Sequence, residues 1–183
     1  MIRPAVPSDA PQIARLIIQA LEDLAVKYVD NPDPYQAVPL FEHFIGLPVN
    51  QYSYENILVC EEHEEICGFI NGYDGADFEK LRAPFLKFIQ LEYGVQLNPE
   101  LETEAGEYYI DTLSVSEGHQ GKGIGKQLIH ALIGKAKSLK ADKIGLLVDQ
   151  SNPKAEKLYT SMGFKIVNEK DLLGGKYNHM QYT

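Results

Sequence analysis

The sequence predicts an α/β fold in one domain spanning residues 1–183: a mixed, mostly antiparallel sheet with one parallel pair, and helices on both faces. The length suits a single domain, and 44% hydrophobic and 23% charged residues are ordinary for a globular protein. Helical and strand periodicities alternate along the chain. A strand, a glycine-rich turn, a helix and a second strand follow one another over residues 107–149. Their two strands should be parallel and joined by a right-handed crossover.

The first 73 residues contain a short strand, two helices and a hairpin. Residues 1–3 are predicted as an edge strand, and a helix should begin at Ser8 or Asp9 and run to about Lys27. A second helix is predicted over residues 35–46, although Pro39 lies inside it. Residues 56–61 and 66–73 alternate as two strands around a turn at His63 and Glu64.

Residues 74–106 are an inserted segment in front of the predicted central strand. A partly helical apolar stripe is interrupted by Pro84, and residues 98–106 form an acidic loop. A compact hairpin would join the flanking strands in two to five residues. A long insertion at such a place forms either a substrate wall or lid, or an excursion over the surface. We favour the substrate wall.

The last third continues with a helix ending near Lys140, a strand over residues 143–149 and a helix that begins at Asn152-Pro153 and ends at Gly163. Two further strands are predicted over residues 164–168 and 177–182. An exposed last strand would offer an edge to a second copy, and this allows a homodimer.

Composition limits the classes of function. The chain has 17 Lys and Arg against 26 Asp and Glu, a net charge of −9, which argues against a nucleic-acid partner and suits a cationic substrate. No apolar run could span a membrane and no signal peptide is visible, so a cytoplasmic location is expected. Cys60 and Cys67 should remain thiols there. With His63 they fall short of a four-ligand zinc set, so no metal is expected.

The turn over residues 118–125 joins a strand to a helix and contains four glycines. A helix start has free N–H groups and a partial positive charge, and glycines let the backbone approach a ligand. Lys122 and Lys126 add positive charge beside it. The turn therefore predicts an anion site, typically for phosphate. A plain connecting turn would also explain the glycines, so the turn alone leaves both interpretations open.

Two standard phosphate motifs do not fit this turn. A P-loop needs Ser or Thr after Gly-Lys, but Gly125-Lys126 is followed by Gln127. The dinucleotide pattern starts at Gly121 and Gly123 but meets Lys126 at its last position. The remaining pattern is Q-x-x-G-x-G, and it resembles the pyrophosphate-binding signature of the GNAT family of N-acetyltransferases. Residues 152–164 resemble that family's second block, N-x-x-A-x-x-x-Y-x-x-x-G-F.

The resemblance covers residues 107–183 well, covers residues 1–73 only in the order of elements, and leaves out the insertion. It implies acetyl-CoA as co-substrate and a parallel pair that splays to admit its pantetheine arm. Backbone N–H groups of the turn would hold the pyrophosphate, the backbone of Leu113 and Val115 would pair with pantetheine amides, and Asn152 would bind the arm. The implied turn residues are Gln120, Gly121, Lys122, Gly123, Ile124, Gly125 and Lys126.

Two side chains are predicted to act in catalysis. Tyr159 of the second block would point at the thioester sulfur and protonate the leaving thiolate. An alkylamine is almost wholly protonated at neutral pH, so a carboxylate must take its proton, and Asp111 on the central strand is the candidate. Strand alternation should place Asp111 on one face with Tyr109, Leu113 and Val115. The alternatives are core packing for Tyr159, a structural acceptor for Asp111 and a simple N-cap for Asn152.

The sequence therefore predicts an acetyl-CoA-dependent N-acetyltransferase. Its acetyl group would pass to a primary amine by direct attack in a ternary complex, and a small-molecule amine is favoured over a protein. The alternative is a non-catalytic acyl-CoA-binding sensor or regulatory module, which would need no acid near the sulfur. A nucleotide-binding protein that uses the same turn is a third interpretation.

Overall fold

The computed structural model describes residues 1–183. The six helices are α1 (Ala10–Ala20), α2 (Glu22–Val29), α3 (Val38–Ile45), α4 (Phe78–Tyr93), α5 (Ile124–Ser138) and α6 (Pro153–Ser161). The seven strands are β1 (Ile2–Pro4), β2 (Ile57–Glu62), β3 (Glu65–Asp74), β4 (Tyr108–Val115), β5 (Ile144–Asp149), β6 (Lys165–Leu172) and β7 (Gly175–Tyr182). They form one sheet in the order β1-β2-β3-β4-β5-β7-β6, with β4 and β5 as its parallel pair and all other neighbours antiparallel. The predicted fold class is confirmed.

The parallel pair separates soon after it begins. β4 and β5 pair only from Tyr108 opposite Ile144 to Ile110 opposite Leu146. β4 then continues to Val115 and β5 to Asp149 without pairing to each other. The two strands therefore diverge and leave a wedge between their carboxyl ends.

A β-bulge in β4 changes the faces of its side chains. Asn71 lies opposite Thr112 and Gly72 opposite Ile110, so Asp111 is the extra residue without a partner. An extra residue interrupts the strict alternation of a strand. Leu113 packs against the α5 side of the sheet, whereas Asp111 bonds to Thr112 and Tyr73 on the opposite side. The prediction that Asp111 shares a face with Leu113 and Val115 is therefore wrong, although it does share one with Tyr109.

Apolar side chains fill both faces of the sheet. The larger cluster joins α1, α2, α3 and part of α4 to residues of β2 and β3, including Val59 and Phe69. The other cluster packs α5 and Tyr159 of α6 against β3, β4, β5 and β7. Helices on both faces were predicted, and the two clusters fix β4 between them.

Three predicted elements differ from the structure. The first helix is broken at Leu21, whose φ of −123° and ψ of 34° are not helical, and α2 starts anew after it. Pro84 lies within the continuous helix α4, where packing of Phe85 and Ile89 outweighs the missing backbone hydrogen bond. The last strand is not an edge, because β7 pairs with both β5 and β6. The free edge on this side of the sheet is β6. The last strand therefore cannot offer an edge to a second copy, as the homodimer expectation assumed.

None of the six helices is both long enough and apolar enough to cross a membrane.

Candidate active site

The glycine-rich turn has a backbone that most side chains would strain. Gly121 and Gly123 have φ values of 78° and 82°, in the left-handed region. A Cβ at either position would meet no atom within 4 Å, so backbone conformation and not crowding requires glycine there. At Gly125 a Cβ would make only ordinary contacts, at 3.8 Å from Leu158 and 3.9 Å from Val115.

The start of α5 offers unused N–H donors. Gly123 is its N-cap residue and no side chain caps the helix. The first backbone bond of this helix runs from the N–H of Gln127 to the carbonyl of Gly123, at 3.1 Å. The N–H groups of residues 121–126 donate to no backbone oxygen and are available to an anion.

Two turn residues depart from their predicted part in this site. The N–H of Gln120 donates to the carbonyl of Glu117, while its side-chain amide donates to the carbonyl of Val115 at 3.1 Å. Lys122 is exposed and does not line the cavity in front of the turn, whereas Lys126 and Lys154 do. Ile124 presents only its backbone, because its side chain is buried beneath the turn. Lys154 was not predicted, because no local pattern distinguishes it from other exposed lysines.

This cavity has a volume of about 650 Å³ and extends from the turn along the free side of β4. Leu113, Ser114 and Val115 line it, so the part of β4 beyond its pairing with β5 faces the cavity. The carbonyl of Val115 also accepts a hydrogen bond of 2.9 Å from the side chain of Gln19, at the end of α1. An extended ligand that pairs here would therefore compete with Gln19, a residue that the sequence analysis missed.

Asn152 and Tyr159 line the cavity together with Leu113 of β4. The Oδ1 atom of Asn152 accepts from the N–H of Ala155 at 3.1 Å, so Asn152 is the N-cap of α6, while its amide nitrogen remains free. The Tyr159 ring packs edge-on against Phe164 at 5.7 Å between centroids and is 8% exposed. Its hydroxyl forms no hydrogen bond within the protein, and burial raises the pKa of Tyr159.

A second cavity, of about 310 Å³, adjoins the first. The two cavities share six lining residues, namely Gln19, Ala20, Leu113, Asn152, Ala155 and Tyr159. The second cavity is lined by five carboxylates (Glu22, Asp23, Glu102, Asp111 and Asp149) and five tyrosines (Tyr28, Tyr52, Tyr109, Tyr159 and Tyr177). No Lys or Arg lines it. We call it the acceptor cavity, and the first one the cofactor cavity.

Asp111 and Glu102 are two half-buried carboxyl residues that line the acceptor cavity. Asp111 accepts hydrogen bonds from the hydroxyls of Tyr73, at 2.5 Å, and Thr112, at 2.6 Å. Glu102 accepts one from Tyr109 at 2.8 Å. Burial raises the pKa of both carboxyls, and the negative charge of Asp111 raises that of Glu102 further, to about 8. A carboxyl with a pKa of about 8, as at Glu102, can exchange protons near neutral pH.

Glu102 belongs to the inserted segment, and three contacts hold it in place. The Lys170 side chain donates to the carbonyl of Glu102 at 3.2 Å. The Arg82 guanidinium donates to the carbonyls of Pro99 and Glu100, each at 3.1 Å. The insertion thus supplies part of the wall of the acceptor cavity. A substrate wall stays a prediction for this segment, and Glu102 could not be identified in advance because nothing in the acidic loop distinguishes it from its acidic neighbours.

Comparison with known proteins places this geometry in a family. The model of the acetyltransferase (GNAT) family matches residues 18–164. The spermine/spermidine N(1)-acetyltransferase of Bacillus subtilis (strain 168) is 31% identical over 129 residues, which are 69% of this chain and 81% of that protein. The crystal structure of an acetyltransferase matches with a TM-score of 0.82 and 38% identity, over 99% of this chain and 97% of the other.

An N-acetyltransferase from Staphylococcus aureus Mu50 matches with a TM-score of 0.84 and 27% identity, over the full length of both chains. These likenesses agree with the glycine-rich turn, the splayed strands and the second sequence block. The chain therefore belongs to the acetyltransferase (GNAT) family and is an N-acetyltransferase, with an acyl-CoA as the co-substrate of its family.

Proposed function

We propose that this enzyme transfers the acetyl group of acetyl-CoA to a primary amine of a small polycationic molecule, with polyamines as the best candidates. The observation that carries this proposal is the acceptor cavity, which is lined by five carboxylates and no basic residue and opens onto the cofactor cavity beside Tyr159. Ammonium groups complement buried carboxylates and tyrosine faces. The spermine/spermidine acetyltransferase among the relatives supports the same class of substrate.

The cofactor cavity is suited to acetyl-CoA. Free N–H groups of residues 121–126 would bind the pyrophosphate, and Lys126 and Lys154 add positive charge along the cavity. The pantetheine arm would lie along Leu113 and Val115, and the amide nitrogen of Asn152 would donate to it. The thioester would then reach the residues shared by both cavities. We place the reaction in the cytoplasm, where thiols such as that of CoA remain reduced.

The acceptor amine arrives as an ammonium ion and must lose a proton before it attacks. Asp111 lies two residues from Leu113, roughly 7 Å along the strand, so a water molecule is needed between the carboxylate and the amine. Glu102 brings a second carboxyl group to the same cavity. Their raised pKa values favour proton uptake from an ammonium group over the low values of ordinary carboxylates.

Attack forms the new C–N bond at the thioester carbonyl, and the C–S bond then breaks. The leaving thiolate needs a proton, and the hydroxyl of Tyr159, which has no partner within the protein, would donate it. The proton still held by the new amide nitrogen replaces the one that Tyr159 gives up. Overall, the ammonium group loses two protons, one to the carboxylate and one to CoA.

A substrate panel tests the proposal. Release of the CoA thiol would be followed with acetyl-CoA and spermidine, spermine, a short diamine, an amino acid and a peptide with a free N-terminus. We expect the highest kcat/KM for the polyamines. A higher value for the peptide or the amino acid would contradict the substrate class. Binding of CoA without acetylation of any amine would favour the non-catalytic module instead.

A further inference from the structure

The hairpin of β2 and β3 brings three metal-ligating side chains together near its turn. Cys60 and Glu62 lie two residues apart on β2 and therefore point to one face. Cys67 is the bulged residue of β3, because Cys60 pairs with Gly68 and Glu61 pairs with Ile66. The bulge turns Cys67 towards Cys60, and the ligand atoms of Cys60, Glu62 and Cys67 all lie within 4.8 Å of one another.

A fourth ligand comes from the segment that leads into the glycine-rich turn. The Nε2 atom of His119 lies 3.8 Å from the carboxylate of Glu62. The Nδ1 atom of His119 lies 2.9 Å from the hydroxyl of Ser116, which leaves Nε2 free to bind a metal when Nδ1 carries the proton. The N–H of Ser116 donates to the carbonyl of Cys67 at 2.9 Å, so this segment is fastened to the hairpin at the same place.

We propose that Cys60, Cys67, Glu62 and His119 form a four-ligand site for a thiophilic divalent cation, Zn²⁺ first. Two sulfurs, one imidazole and one carboxylate match the ligand types of zinc in proteins. Metal–ligand distances of about 2.0 to 2.3 Å in a tetrahedron separate the ligand atoms by roughly 3.3 to 3.8 Å. Cys60, Glu62 and Cys67 already lie within 4.8 Å of one another and need shifts of about 1 Å. His119 lies 3.8 Å from Glu62 and must turn towards the two sulfurs to complete the tetrahedron.

The surroundings of the four side chains suit such an ion. The cysteines are buried and fixed by the hairpin, while the side chains of Glu62 and His119 are 45% and 24% exposed and leave a path from solvent. The site lies apart from the acceptor cavity and would join the hairpin to the start of the cofactor-binding turn. His63, which the sequence analysis weighed as a ligand, lies exposed at the hairpin turn and is not in the cluster.

Cobalt is a direct probe, because Co²⁺ bound to thiolates absorbs by sulfur-to-metal charge transfer and shows tetrahedral d–d bands. The reduced full-length protein would be titrated with Co²⁺ and then with Zn²⁺ as competitor. We expect one Co²⁺ per chain, displaced by Zn²⁺, and a higher Tm in the presence of Zn²⁺. Cys60→Ser and Cys67→Ser should abolish the charge-transfer band.

His119→Gln carries the test if a buried cysteine variant fails to fold, because the His119 side chain lies near the surface. It should weaken Co²⁺ binding by more than about tenfold and remove the Zn²⁺-dependent rise in Tm. His63→Gln is the matched control on the same hairpin and should bind Co²⁺ as the parent protein does. The absence of a charge-transfer band in the reduced protein, or equal losses in the two histidine variants, would overturn the proposal.

Discussion

The two cavities of the active site are built in different ways. The cofactor cavity relies on backbone groups of one continuous turn and of one strand, with lysines along it. The acceptor cavity relies on side chains from distant segments, among them Asp23 in α2, Glu102 in the insertion and Asp149 in β5. A local motif can encode the first kind of site, whereas only the complete fold assembles the second. A short stretch of sequence is therefore enough to predict binding of the acyl donor, whereas the binding site of the acceptor depends on the whole fold.

The largest expected effect lies where the two cavities meet. We expect Tyr159→Phe to lower kcat with the best amine by about 10²- to 10⁴-fold, the usual contribution of a positioned general acid. The hydroxyl has no partner within the protein, so its removal should leave folding and the Kd for CoA unchanged. Steady-state kinetics and calorimetric titration with CoA measure the two quantities.

Tyr177→Phe is the control for this prediction, because Tyr177 lines only the acceptor cavity. It should change kcat by less than about threefold, within the range of a weak hydrogen bond. An unchanged kcat in Tyr159→Phe would remove the acid function from Tyr159 and return this residue to core packing.

The next effect concerns the acceptor cavity alone. Glu102→Gln should lower kcat/KM for a polyamine by about 10- to 100-fold, since a buried partner charge for the ammonium group is lost. In the parent enzyme kcat/KM should fall as the pH drops below about 8, where Glu102 takes up a proton. In the variant this fall in kcat/KM should occur at lower pH, because Asp111 then has no second ionisable carboxyl beside it.

Glu104→Gln is the matched control, because Glu104 lies in the same segment but is exposed and lines neither cavity. It should keep the kinetics and the pH profile of the parent enzyme. A pH profile that stays unchanged in Glu102→Gln would show that Glu102 does not titrate in the reaction.

These expectations also show how far the sequence could predict the molecule. Periodicity and turn chemistry predicted the fold class, the hairpin at His63 and the βαβ unit, because each depends on local patterns. The break at Leu21 and the continuity of α4 through Pro84 depend on packing between distant segments, which no local pattern records. Glu102 and Gln19 were missed for the same reason. The bulge at Asp111 was not predicted, because a strand pattern in the sequence indicates regular alternation of side chains and gives no sign of an extra residue.

A smaller effect should separate two glycines of the cofactor turn. Gly123→Ala places a side chain at a φ of 82°, a strain of about 1 to 2 kcal/mol that should weaken CoA binding by roughly 5- to 30-fold. Gly125→Ala adds a Cβ with only ordinary contacts and should change the Kd by less than about twofold. Titration of both variants with CoA measures the difference. Equal losses would mean that close approach of the ligand, and not backbone conformation, requires glycine in the turn.

The smallest effect is on stability and isolates the electrostatics of the acceptor cavity. The pKa of Glu102 is raised from its ordinary 4.5 to about 8, so the folded protein binds this proton more tightly than the unfolded chain does. The resulting stabilisation is fully present below about pH 4.5 and is lost as the pH rises through about 8. Above that pH Glu102 is ionised beside Asp111, in an empty cavity that has no Lys or Arg among its lining residues.

Glu102→Gln has no ionisable group at this position. The free energy of unfolding of the variant minus that of the parent protein should therefore increase by about 1 kcal/mol from pH 5 to pH 9. The increase is limited to this size because solvent in the cavity screens part of the repulsion. Urea unfolding at the two pH values, with Glu104→Gln alongside, measures this change. At pH 9 a polyamine should remove the difference in stability between the variant and the parent protein. Its ammonium groups would neutralise the carboxylates of the parent cavity, as the mutation does by removing one of them. A constant difference across pH would mean that Glu102 is ionised in both the folded and the unfolded protein, and the acceptor cavity would then bind cations without any cost to the empty enzyme.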